Sequence, residues 1–216
     1  MGFTIPRVDT ILAPYAEKSY QIYYKEWYDN FSGNLNEHKE EWYEDRADEY
    51  ATKKVRREFE QGFQGWEYKF NTVGSSRGDY PFIAISFGIG TSKWERMATE
   101  VALETRANGQ VKKGFKKPVL FPKLTFLYDK ELHGNGSDNY ELGDLFEDAI
   151  NCSCRTMYPD YLSLTGEGYI PSIYKKYGKV ISLMGCRASL SPWYEKGGMH
   201  PADDNDVPIF EGRLIE

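Results

Sequence analysis

Apolar side chains in the first third of the chain recur at three- and four-residue steps. Val8, Ile11, Leu12, Tyr15, Ile22 and Tyr23 share one register with Ser19, which predicts a helix with Pro14 in its first full turn and a stop at Gly33 and Asn34. A second, longer helix is predicted from about Asn36, its inward face traced by Trp42, Ala47, Tyr50, Ala51, Val55, Phe59, Phe63 and Trp66, with Gly62 and Gly65 weakening its last turns. From Pro81 the period changes. PFIAISFG is a short β-branched and aromatic run that stops at a glycine, and the text SKWERMATEVALETRANG after it reads as a helix. Trp94, Met97, Val101, Leu103 and Ala107 are the buried candidates of that helix, and Asn108-Gly109 is its stop. A second strand is predicted in KPVLFPKLTFLYD, where Pro122 removes a ladder donor and suggests an edge, a bulge or a barrel position. A helix in YELGDLFEDAINCSCRTMY leads into PDYLS, and KVISLMGC reads as a third strand. The alternation argues for an α/β architecture. It divides the chain into a helical hairpin at residues 1–74 and an α/β part at 75–216 whose text beyond Cys186, rich in Gly, Pro and Asp, reads as a long loop.

Composition narrows the function classes. With 27 Lys+Arg against 33 Asp+Glu the 216-residue chain carries a net charge of −6, whereas a nucleic-acid binder presents a basic patch, so no direct nucleic-acid partner is expected. No apolar run approaches the roughly 18 residues of a membrane span, and MGFTIPRVDT lacks the layout of a signal peptide, so a cytoplasmic location and no membrane partner are expected. Three cysteines make no disulfide framework, which leaves Cys152, Cys154 and Cys186 as reduced thiols.

Each thiol starts a different chemical argument. Cys152 and Cys154 lie two apart on a predicted helix, point to different faces and cannot jointly grip one ion. Cys186 sits at the end of an apolar strand between Gly185 and Arg187, and ligands in α/β folds gather at the carboxyl ends of strands. On local evidence it is either a functional thiol or a small buried one. Residues 87–93, FGIGTSK, place glycines ahead of a helix N-terminus, as phosphate-cradling loops do, but they match neither a Walker motif nor a spaced GxGxxG. His38, His133 and His200 are far apart and give no zinc spacing, and the acidic run 202–206 reads as solvated loop. No metal site and no substrate-contact set is assigned.

Taken together, the motifs carry a resemblance. GFTIPRVDTILAPYAEKSY, EFEQGFQGWEYKFNTV, SSRGDYPFIAISFGIGTS, KPVLFPKLTFLYD, RTMYPDYLS and ISLMGCRASLSPW, in this order and covering nearly the whole chain, resemble the large chain of class III anaerobic ribonucleoside-triphosphate reductases, a glycyl-radical family. The resemblance implies about one half of a ten-stranded α/β barrel, preceded by the helical hairpin and ending in the finger loop. Cys186 in MGCR matches the finger-loop cysteine that becomes a thiyl radical, and Met184 matches a methionine near the active site, with Gly185 and Arg187 flanking it. A thiyl radical that must reach a ribose 3′ carbon-hydrogen bond while shielded from solvent belongs on such a loop inside a barrel. Asp79 stands where many members carry glutamine.

The same resemblance sets expectations for partners and cofactors. Members act on ribonucleoside triphosphates, bind allosteric nucleotides, form homodimers and receive their glycyl radical from a radical-SAM activase. Their ATP-cone and, in the formate-using branch, a second active-site cysteine precede the GFTIP block. Their glycyl-radical site and zinc-binding cysteines follow the last block matched here. This chain is therefore expected to be a central fragment, from a gene split by an intron or intein or from a fragmented phage gene, holding no cofactor of its own and inactive until joined to the missing segments. Alone, a partial barrel would self-associate or aggregate. The competing expectation is a non-catalytic nucleotide-binding or dimerisation module derived from the same family.

Overall fold

The computed structural model describes residues 2–31, 40–72, 82–112, 115–136 and 139–178, with short pieces at 74, 78, 180, 183–184, 188–190 and 214–215. In chain order the elements are β1 (Gly2–Ile5), α1 (Val8–Phe31), α2 (Glu40–Thr72), β2 (Phe82–Phe87), α3 (Lys93–Asn108), β3 (Gln110–Lys112), β4 (Phe115–Lys117) and β5 (Lys123–Tyr128). They continue with α4 (Lys130–His133), α5 (Gly143–Thr156), β6 (Asp160–Ser163), α6 (Tyr169–Tyr177), β7 (Leu183–Met184), β8 (Ala188–Leu190) and β9 (Leu214–Ile215).

The centre is a parallel sheet in the order β1-β2-β5-β6, so all four strands deliver their carboxyl ends to one edge. Because side chains alternate along a strand, the register sorts residues between two faces. Ile85 pairs with Leu124 and Phe87 with Phe126 on the face covered by helices. There they join Val8, Val55, Phe59, Phe63, Trp94, Val101, Leu103, Leu145 and Ala149 in the main core. Burying an aromatic ring such as Phe87 or Phe126 stabilises by about 1.5–3 kcal/mol relative to leaving it in water. The other face carries Leu127 and Leu162, which pack with Ile89 and Leu164 and are covered in part by Ile170 and Tyr174 of α6. It also carries a polar row across three strands, Ser86 beside Thr125 beside Asp160. The chain is thus a mixed α/β structure fitting a partial α/β barrel, and among the described residues the sheet is open, with β1 and β6 at its edges.

Several elements differ from the sequence-based expectation. Helix α1 starts at Val8, which puts Pro14 inside it rather than in its first turn, and Ile11, Tyr15 and Ile22 of the apolar stripe are exposed. Helix α2 runs seven residues past Gly65; both its glycines face open space, and burial of Phe59 and Phe63 outweighs the roughly 1 kcal/mol that a helical glycine costs. Strand β5 begins after Pro122, so the proline lies outside the ladder and β5 sits inside the sheet, between β2 and β6. The third αβ-linked strand of the sheet is β6, from PDYLS, and not KVISLMGC; the latter supplies only the two-residue β7, which pairs antiparallel with β8. The stretch read as a long loop contributes β8 and β9. Strand β1, the β3–β4 hairpin, α4 and α6 carry too few residues for periodicity to single them out.

Candidate functional site

The residues that follow the four strands converge at the carboxyl edge of the sheet, and one residue there is held from two sides. Gly88, immediately after β2, has φ +122, a conformation closed to side chains, and a Cβ at this position would come within 3.0 Å of Phe126. Its N–H donates to Oδ2 of Asp9 at 3.1 Å, and its carbonyl accepts from Nε2 of His133 at 2.8 Å. Asp9 comes from the first turn of α1, where its Oδ1 also accepts the Thr10 N–H at 2.9 Å. His133 closes α4. Nε2 faces a carbonyl, which only accepts, so it carries the ring proton, while Nδ1 lies between the Asp129 carbonyl at 2.9 Å and the Asp129 N–H at 3.0 Å and in the neutral ring accepts the N–H. Both side chains are fully buried, with 0% exposure, and the imidazole sits among Phe126, Tyr128 and Phe146.

Burial governs their electrostatics. It pushes the Asp9 carboxyl above the ordinary 3.8, against the two backbone N–H groups and Arg7, which favour the anion. It pulls His133 below the ordinary 6.5, against the Gly88 and Asp129 carbonyls and the Asp129 and Asp144 carboxylates, so the ring is held neutral.

The far end of the same loop is fixed by Glu95. Ser92 caps α3 in a reciprocal box: its hydroxyl accepts the Glu95 N–H, and Glu95 Oε2 accepts the Ser92 N–H at 3.1 Å. Glu95 Oε1 takes the Thr10 hydroxyl at 2.8 Å and lies 3.9 Å from Arg7. Burial raises the Glu95 carboxyl, but the Ser92 and Thr10 donors and Arg7 outweigh it and leave it below the ordinary range. A Cβ on Gly90 would collide with Glu95, so the loop and this side chain are in close contact. Between the two fixed ends Thr91 is exposed. Arg7 itself has φ 46, donates its N–H to Ser86 Oγ at 3.1 Å, and keeps a buried Nε with no partner among the described residues.

Of the residues singled out from the sequence, Cys186, Gly185 and Arg187 lie outside the described residues, as do His38, His200 and the acidic run 202–206. Met184 is described only by its backbone, as the last residue of β7, and β7 packs against β1 and β2. The segment ending two residues before Cys186 is thus set against the first two strands of the sheet. Cys152 is buried, its thiol donating to the Leu103 carbonyl at 3.4 Å, while Cys154 is exposed, which agrees with their pointing to different faces of α5. Among the described residues no group of three or more His, Cys, Asp or Glu could hold a metal ion, and no helix is long and apolar enough to cross a membrane. Sequence reasoning passed over Asp9 and set His133 aside as one of three histidines that give no zinc spacing. The only local signal was an acidic residue in the first turn of a helix, which is ordinarily a solvated partner of the helix dipole.

The family described as anaerobic ribonucleoside-triphosphate reductase matches this chain over residues 2–212. The chain belongs to that family. It is 35% identical over 197 residues to the anaerobic ribonucleoside-triphosphate reductase of Haemophilus influenzae, and 33% identical over 201 residues to that of Escherichia coli, each covering 91% of this chain and 25% of the relative. The enzyme of the same name from Enterobacteria phage T4 is 32% identical over 198 residues, with 91% and 29% covered. The chain therefore spans about a quarter of the length of these relatives, and the matched region includes both the Gly88 loop and the MGCR segment.

Proposed function

We infer that this chain forms the part of an anaerobic ribonucleoside-triphosphate reductase that builds one arc of the active-site barrel and carries its radical-bearing cysteine, Cys186. The observation that carries the reading is the family match across residues 2–212, which includes MGCR. The packing of β7 against β1 and β2 supports it, because it directs the finger segment toward the sheet whose carboxyl edge collects functional loops.

In the proposed reaction the Cys186 thiyl radical takes the hydrogen atom from C3′ of the ribose, so one C–H bond breaks, one S–H bond forms, and the unpaired electron passes to the sugar. The 2′ hydroxyl then departs as water and leaves a 3′-keto sugar radical; an external donor, formate oxidised to carbon dioxide or a dithiol protein oxidised to its disulfide, supplies two electrons that, with two protons, make the new C2′–H bond and restore the 3′ hydroxyl, and Cys186 returns the C3′ hydrogen and is left as the thiyl radical. The unpaired electron originates from a glycyl radical in the segments that the longer relatives carry, installed by a radical-SAM activase. In this reading Met184, Gly185 and Arg187, neighbours of Cys186 in the sequence, belong to the surroundings of the active site. The remaining partners of this reading are those segments, allosteric nucleotides and a second copy of the assembled subunit, and the reaction belongs in the cytoplasm.

The test is reconstitution of the chain with the complementary segments and activase under anaerobic conditions, followed by quantification of deoxyribonucleotide. Cys186→Ser should reduce turnover to background while leaving assembly intact, since a serine hydroxyl does not support the hydrogen transfer that a thiol performs. Turnover in that variant above a few per cent of the parent would remove Cys186 from the mechanism.

A further inference from the structure

We draw no further inference here: the strongest candidate, the apolar groove between α1 and α2 that Leu12, Tyr15, Phe59, Phe63 and Trp66 line, carries none because nothing in the structure shows what covers it.

Discussion

The two ends of the parallel sheet each bury a pair of titratable groups, and they use them differently. At the amino end, Arg106 near the end of α3 donates Nε to Glu67 of α2 at 2.7 Å and Nη2 to the Pro122 carbonyl just ahead of β5 at 2.6 Å, and its guanidinium lies over the Tyr158 ring. The two charged side chains are 0% and 6% exposed and answer each other. Burial raises the Glu67 carboxyl, with Arg106 opposing. At the carboxyl end Asp9 and His133 make no bond to each other; both address Gly88. The first arrangement joins two helices and a strand entrance and is a matter of stability. The second leaves each group with a backbone partner only, and its product is the placement of one loop. Burial of charge thus has to be read by what the charge is bonded to.

The contrast can be broken most heavily at the amino end. Arg106→Leu leaves Glu67 buried without its partner and should destabilise by about 3–5 kcal/mol, whereas adding Glu67→Met should recover most of that loss, because two apolar groups replace the pair. Urea unfolding midpoints of the parent, single and double variants decide it; a double variant no better than the single would mean that the pair is not the source of the effect.

At the carboxyl end a smaller effect is expected from Gly88→Ala, which places a Cβ at φ +122 and 3.0 Å from Phe126. The strain amounts to about 1–3 kcal/mol, read in the same unfolding experiment. An unfolding midpoint equal to that of the parent would show that the Gly88 conformation is not required.

The finest distinction is pH. His133 has a folded pKa below its unfolded 6.5, so its neutral form is the one that folding favours. The stability it contributes is complete above 6.5 and is lost as pH falls from there toward the folded value, at up to about 1.4 kcal/mol per pH unit. Asp9 has the opposite sign: its folded pKa lies above 3.8, so its share is present below 3.8 and is lost as pH rises through the folded value. The two contributions oppose each other, so the difference isolates His133: between pH 7 and 5 the parent should lose more stability, or gain less, toward acid than His133→Gln does. A parallel dependence in the two proteins would place the titration elsewhere.

The elements that could be read from the sequence are the long, locally determined ones. Helix α3 was legible to the residue, because Ser92 and Glu95 form its cap and Asn108-Gly109 its stop, and these signals act within a single turn. Strand β2 was legible because FIAISF is buried almost throughout and bounded by glycine. The family resemblance was legible because six ordered motif blocks survive in one chain. In contrast, β6 was misjudged, since DYLS is half polar and becomes a strand by pairing with β5. The clamp on Gly88 was invisible for a stronger reason: Asp9 and Gly88 are 79 residues apart and Gly88 and His133 are 45 apart.

The sequence by itself determined the positions of the long helices α1, α2, α3 and α5, the α/β alternation, the family and the cysteine that the family motif marks. Those follow from periodicity, capping and motif order, which are properties of neighbouring residues. Only the tertiary structure decided that β1 joins the sheet beside β2, that β5 lies inside it, and that an aspartate from α1 and a histidine from α4 meet at one glycine. Bringing those groups together requires the closed core of Ile85, Phe87, Leu124 and Phe126, because the burial that shifts their titration and gives their bonds strength exists only in the folded chain.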